Sequence, residues 1–218
     1  MAIDGSGKAT GLTDLIGIMN ETSQTNMSAA RTATAVWNVI AFEANPLFNQ
    51  KLEAKRANLL SEGKVKSYKL YNGTAISVKD GFVDFVLDNN GAGDAGSTLQ
   101  TDSRSAVGRT LRTPMVDILT LFKTHHIRRQ DHVVVKVDVE GHEYDLVRRM
   151  IVTGLLDRYI DKLAVEWHHN AFWVFGHPGN VTMYPEQFKK HEEYKRRYES
   201  IMWILENSAM QKKLHNWG

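Results

Sequence analysis

The chain has no cysteine. That removes a disulfide framework, a thiol nucleophile and a Cys-ligated zinc site, and it suits a reducing compartment. Long apolar runs are missing too. None approaches the roughly 18–20 residues needed to span a bilayer. Met1 to Asp14 lacks the apolar core of a signal peptide, so no secretory leader is expected. A formal net charge of +2 offers no general attraction to nucleic acid. What remains is ordinary for a globular protein. With 218 residues, 42% of them hydrophobic, there is enough material for one substantial α/β core.

The richest stretch is V-V-V-K-V-D-V-E-G-H-E, Val133 to Glu143. A β-branched apolar run reads as a buried central strand. Asp138 and Glu140 follow at its carboxyl end and share one parity with Lys136, so all three point the same way while the strand persists. Gly141 permits a tight turn there. Ligands of open α/β sheets bind beyond the carboxyl ends of the strands, which makes this acidic pair a candidate site.

The rest of the chain alternates between strand and helix signals, the pattern of a mostly parallel sheet flanked by helices. Met1 to Thr34 is rich in Gly, Ser and Thr and reads as a divergent N-terminal segment ahead of an α/β domain over residues 35–218. Ala35 to Phe42 reads as a strand closed by Glu43, and Pro46 suits the first turn of a helix to about Leu60. Lys66 to Tyr71 is a further strand. Ala75 to Val78 and Phe82 to Leu87 flank Lys79-Asp80-Gly81, a hairpin signal. Asn89 to Gly108 reads as a surface loop. Val116 to Phe122 is expected as a helix, as is Tyr144 to Thr153, with Gly154 as its C-cap. Lys162 to Trp167 is another strand, Pro185 to Tyr198 a charged helix, and Ser200 to Leu205 a late strand. Val39–Phe42, Val133–Val137 and Leu163–Trp167 are expected as inner strands of one sheet.

Three segments taken together resemble the FkbM-type methyltransferases. V-I-A-F-E-A-N-P (Val39 to Pro46) is similar to their second-strand motif. V-V-K-V-D-V-E-G-H-E-Y-D (Val134 to Asp145) resembles their K-x-D-x-E-G-x-E motif. Gly73 to Phe85, Arg112 to Leu119 and Leu163 to His168 follow the family's order. The resemblance implies a Rossmann-like class I methyltransferase fold, S-adenosylmethionine as cofactor, and transfer of its methyl group to a small-molecule or glycan hydroxyl. It implies that Glu43 accepts hydrogen bonds from the cofactor ribose and that Asp138 lies near the reacting centre, binding cofactor and serving catalysis. Glu140 and Glu143 would shape the site. The family's first strand ends in D-x-G-A-x-x-G. By residue type its counterpart is Asp4, Gly5, Gly7 and Gly11, with only Met1-Ala2-Ile3 ahead of them, too little for a buried strand. That departure keeps a second reading in view: an inactive scaffold of the same fold that binds a protein partner.

Each candidate also has a plainer use. Glu43 would end a strand. Asp138 and Glu140 would cap the next helix or pair with Lys136 or Arg148. His142 follows the glycine and would be merely exposed, with catalysis as the sharper reading. His168 is a general-base candidate; adjacent strand residues point to opposite faces, so His168 and His169 do not make a metal pair. Gly5-Ser6-Gly7-Lys8 lacks the spacing of a phosphate loop. Lys189 to Arg197 mixes both signs, as a solvated helix face does, and is the one feature that would suit RNA. Trp167, Phe172, Trp173 and Phe175 read as core or a pocket wall.

Overall fold

The computed structural model describes residues 37–87, 98–99, 109–139, 142–167 and 185–217. Expectations for Met1 to Thr34, for most of Asn89 to Gly108, for Glu140, Gly141, His168 and His169, and for Phe172, Trp173 and Phe175 fall outside those residues.

Strand β1 (Trp37–Glu43) runs parallel to β2 (Val65–Asn72), and helix α1 (Asn49–Ser61) connects them. The turn after β1 explains the F-E-A-N-P run letter by letter. Glu43 Oε1 accepts from the Asn45 backbone N–H at 2.7 Å. The Asn45 side chain then accepts from the Leu47 N–H at 3.0 Å, capping a 3-10 turn (Pro46–Phe48) that leads into α1. Pro46 occupies the first helical position, where no N–H is needed.

The expected hairpin does not form. Strands β3 (Ala75–Ser77), β4 (Gly81–Leu87), β5 (Thr98–Leu99) and β6 (Arg109–Asp117) make a sheet ordered β3-β6-β4-β5. β6 lies between the two strands the turn signal would have paired, parallel to β3 and antiparallel to β4. The turn is held open by Asp80, which accepts from the Asp117 N–H at 2.9 Å and the Thr120 hydroxyl at 2.7 Å. Turn chemistry is local and cannot register a strand that arrives from further along the chain. Pro114 hides β6 from a sequence reading, since proline is unwelcome in an inner strand. It is tolerated because β3 pairs with β6 only from Met115 onward. Helix α2 (Ile118–Thr124) consequently starts later than expected, capped by the Asp117 side chain on the Leu119 N–H at 3.0 Å.

Strands β7 (Val134–Val137), β8 (Lys162–Glu166) and β9 (Leu214–Trp217) form an all-parallel sheet in that order. Helices α3 (Glu143–Val152) and α4 (Leu155–Tyr159) carry β7 to β8, and α5 (Pro185–Glu206) precedes β9. Gly154 sits between α3 and α4 at φ 69°, the left-handed conformation expected of it. The expected strand Ser200 to Leu205 is instead the end of α5. Ile201 and Leu205 are buried while Trp203 is 67% exposed, a helical spacing that a short apolar run does not reveal.

β7 and β8 are neighbours as expected, but among the described residues no ladder joins either of them to β1. Side chains make the connection instead: Val134 packs on a cluster of Val39, Ala41, Leu59, Val65 and Tyr68. The expected single sheet is therefore three smaller sheets among the described residues, mostly parallel. The main core joins Phe42, Val137, Val147, Met150, Leu163 and Leu205, so α3 and α5 close over the β7-β8 face. No helix among the described residues is long and apolar enough to cross a membrane.

Candidate active site

Glu43 ends β1, Lys136 and Asp138 stand at the end of β7, and Glu166 ends β8. Parallel pairing puts these carboxyl ends on one side of their sheets, because every strand runs the same way. The alternation of the strand turns Val137 into the core and sends Lys136 and Asp138 together to the other side. Lys136 Nζ donates to Asp138 Oδ2 at 2.9 Å and lies 3.8 Å from Glu166 Oε2. The side chains of Lys136 and Asp138 are only 3% and 6% exposed, against 37% for Glu166. A buried ammonium therefore bridges the ends of β7 and β8. Lys136 thus stands between two carboxylates, those of Asp138 and Glu166.

Glu143, expected to shape the site, is fully buried and does so from within. Its Oε1 accepts from the Val139 N–H at 3.0 Å, closing the turn between β7 and α3. A carboxylate in the first turn also complements the helix dipole. Next to it, burial pushes the Tyr144 phenol above its ordinary pKa, with the Glu143 carboxylate adding to the effect. The Tyr144 ring lies 5.5 Å from Trp167, and Trp167 lies 5.3 Å from Tyr198. This aromatic column links α3, the end of β8 and α5, and Trp167 packs against the main core.

The β1 side and the β7 side meet through β3. The Glu43 carbonyl accepts from the Thr74 N–H at 3.0 Å, which leads into β3 directly beside the end of β1. At the other end of β3, Ser77 Oγ lies 3.2 Å from His142 Nε2. His142 Nδ1 lies 3.5 Å from Asp145 Oδ2, and Arg197 Nη1 lies 3.6 Å from Asp145 Oδ1. One helical face further on, Arg149 donates to Asp117 at 2.7 Å, fastening α3 to the start of α2. His142 is thus only 12% exposed in its side chain and engaged on both nitrogens, not the exposed residue of the plainer reading.

Of the sequence candidates, Glu43 and Asp138 stand at these strand ends, and Glu143 begins α3 just beyond β7. Asp4, Gly5, Gly7, Glu140 and His168 lie outside the described residues. Ser77, Asp145 and Glu166 were not singled out as site residues. Asp145 carries a faint signal, three residues after His142 at the start of a helix. Ser77 carries none, since its partner is 65 residues away.

The model of the FkbM methyltransferase domain matches residues 15–199. The chain belongs to the FkbM methyltransferase family. The match takes in every side chain just described and begins after Asp4, Gly5 and Gly7. Searches of curated proteins and of solved structures gave no match. Membership in this family suggests a methyltransferase enzyme and implies use of S-adenosylmethionine.

Proposed function

We propose that this FkbM-family protein is an S-adenosylmethionine-dependent methyltransferase that methylates a hydroxyl oxygen on a Rossmann-like scaffold. The observation that carries the reading is the buried Lys136–Asp138 pair, with Glu166 beside it, at the carboxyl ends of β7 and β8.

The donor chemistry fits the cofactor. Its ribose needs an acceptor at the end of a strand, and Glu43 stands there with one oxygen pinned by the Asn45 N–H. Its sulfonium is a cation, and carboxylates such as Asp138 and Glu166 suit a cation nearby. When bound, the cofactor supplies an electrophilic methyl group. The protein's part is alignment: Glu43 would hold the ribose, Asp138 would face the reacting centre, and Lys136 would fix the Asp138 carboxylate in place. Glu143 would keep the turn after β7 closed, so that Asp138 does not wander. Asp4, Gly5, Gly7, Glu140 and His168 retain the roles that the family resemblance and the sequence gave them, as part of this proposal.

Calorimetric titration with S-adenosylhomocysteine tests it. Saturable binding is expected. In Glu43→Gln the amide oxygen still accepts from Asn45, while the charge is gone, so binding should weaken by about 1–3 kcal/mol. A folded wild-type protein that shows no binding would favour the inactive scaffold instead.

A further inference from the structure

Ser77, His142 and Asp145 stand in the order of a proton relay. We propose that this relay removes the proton of the methyl acceptor, with Ser77 touching the acceptor, His142 taking the charge and Asp145 positioning the imidazole. The acceptor is then a neutral hydroxyl, since that nucleophile needs its proton removed as it attacks. The inference rests on the methyltransferase reading.

The geometry carries it in three ways. First, tautomer: a carboxylate 3.5 Å from Nδ1 favours a proton there, which leaves the Nε2 lone pair facing the Ser77 hydroxyl at 3.2 Å. Second, exposure: Ser77 is 3% exposed, the His142 side chain 12% and the Asp145 side chain 45%, so the line runs from the interior to solvent. A proton released inside has a route out. Third, place: β3 starts beside Glu43 and His142 follows Asp138 by one turn, so the relay lies where the two halves of the site meet. Among the described residues, the groups facing the relay are Ser77 from β3, Asp145 from α3, and Arg197 from α5, which reaches Asp145 at 3.6 Å. Arg197 thus fastens Asp145 from the side away from His142.

The step balances. The acceptor oxygen forms its bond to the methyl carbon as the carbon–sulfur pair returns to sulfur. Its proton moves to Ser77 Oγ while the Ser77 proton moves to His142 Nε2, and the imidazolium then loses it to water.

Nitrogen-15 NMR of histidine-labelled full-length protein reads the tautomer without any substrate. At high pH, His142 should carry its proton on Nδ1. In Asp145→Asn that preference should weaken and the titration midpoint should fall, which tests whether Asp145 sets the tautomer; the turnover arm below separates a relay from a structural contact. A proton on Nε2, or a titration unmoved in Asp145→Asn, overturns the relay. In the second arm, release of S-adenosylhomocysteine is followed with a panel of small phenols, primary alcohols and amines as acceptors. For hydroxyl acceptors, His142→Asn should slow turnover about 100-fold or more with S-adenosylhomocysteine affinity within a few-fold. Unchanged turnover, or turnover with amines alone, counts against it. Absence of cofactor binding in the wild type would defeat the methyltransferase reading, whereas a proton on Nε2 would defeat the relay and leave that reading standing.

Discussion

Two polar clusters hold the carboxyl-end face together, and they are built on opposite plans. The Lys136–Asp138 pair is local in sequence, two residues apart at the end of one strand, and nearly dry. The Ser77–His142–Asp145–Arg197 line spans three elements and grades outward to groups 45% and 44% exposed. A dry pair holds geometry because breaking it leaves a bare charge in a poor solvent. A graded line exchanges protons with water because its far end is wet. The face thus has one part suited to fixing a carboxylate and another suited to moving a proton.

The comparison is broken most forcefully at Lys136. Lys136→Met leaves Asp138 buried without its ammonium and should destabilise the fold by about 3–5 kcal/mol, read by urea denaturation. Lys136→Met combined with Asp138→Leu should recover most of that loss, because no orphan charge remains. A single-mutant loss under about 1 kcal/mol would mean that the pair is solvated, as exposed pairs of that value are, and the contrast between the clusters would collapse.

Arg149 lies between the two plans. It bonds Asp117 at 2.7 Å, with side-chain exposures of 34% and 11%. Arg149→Met should cost about 1–3 kcal/mol, the range for a charge-assisted hydrogen bond lost at a partly buried site. The loss should fall mainly on the β3-β6-β4 side of the molecule, since Asp117 also caps α2. Hydrogen exchange of the α2 amides would show it. An effect equal to that of Lys136→Met would place Arg149 with the dry cluster.

The same contrast explains what could be read in advance. Parity put Lys136 and Asp138 on one side before any fold was known, and the structure brings them to 2.9 Å. The strands β1, β2, β7 and β8 and helix α3 were legible for a similar reason: each is set by residues within its own span. Glu43 was legible as the end of a strand, but its bond to the Asn45 N–H follows from the turn's geometry. Ser77 was invisible because its role depends on β3 leaving its neighbour Phe82–Leu87 to pair with β6. The hairpin signal pointed at the wrong partner, and proline in β6 concealed the right one. The same blindness to long-range pairing left β1 assigned to the sheet of β7 and β8, where packing through Val134 joins them in place of a ladder.

The smallest expected effect is at Asp80, on the exposed side of this arrangement. The Asp117 N–H and then the Thr120 hydroxyl hold its carboxyl below the ordinary carboxylate pKa. A carboxylate with a depressed folded pKa adds stability above its unfolded value, and that contribution disappears as pH falls through the folded value. The window therefore lies at and below about pH 4, well away from neutrality. Asp80→Asn should flatten the acid limb of the stability–pH curve by slightly lowering its top and leaving its acid end nearly unchanged, the drop being small because the amide oxygen can still accept one of the two bonds. Chemical denaturation between pH 2 and 7 (about five points suffice) measures it. An acid limb identical in the mutant and the wild type would show that the Asp80 anchor is not formed in solution, and with it the open turn that lets β6 pass between β3 and β4.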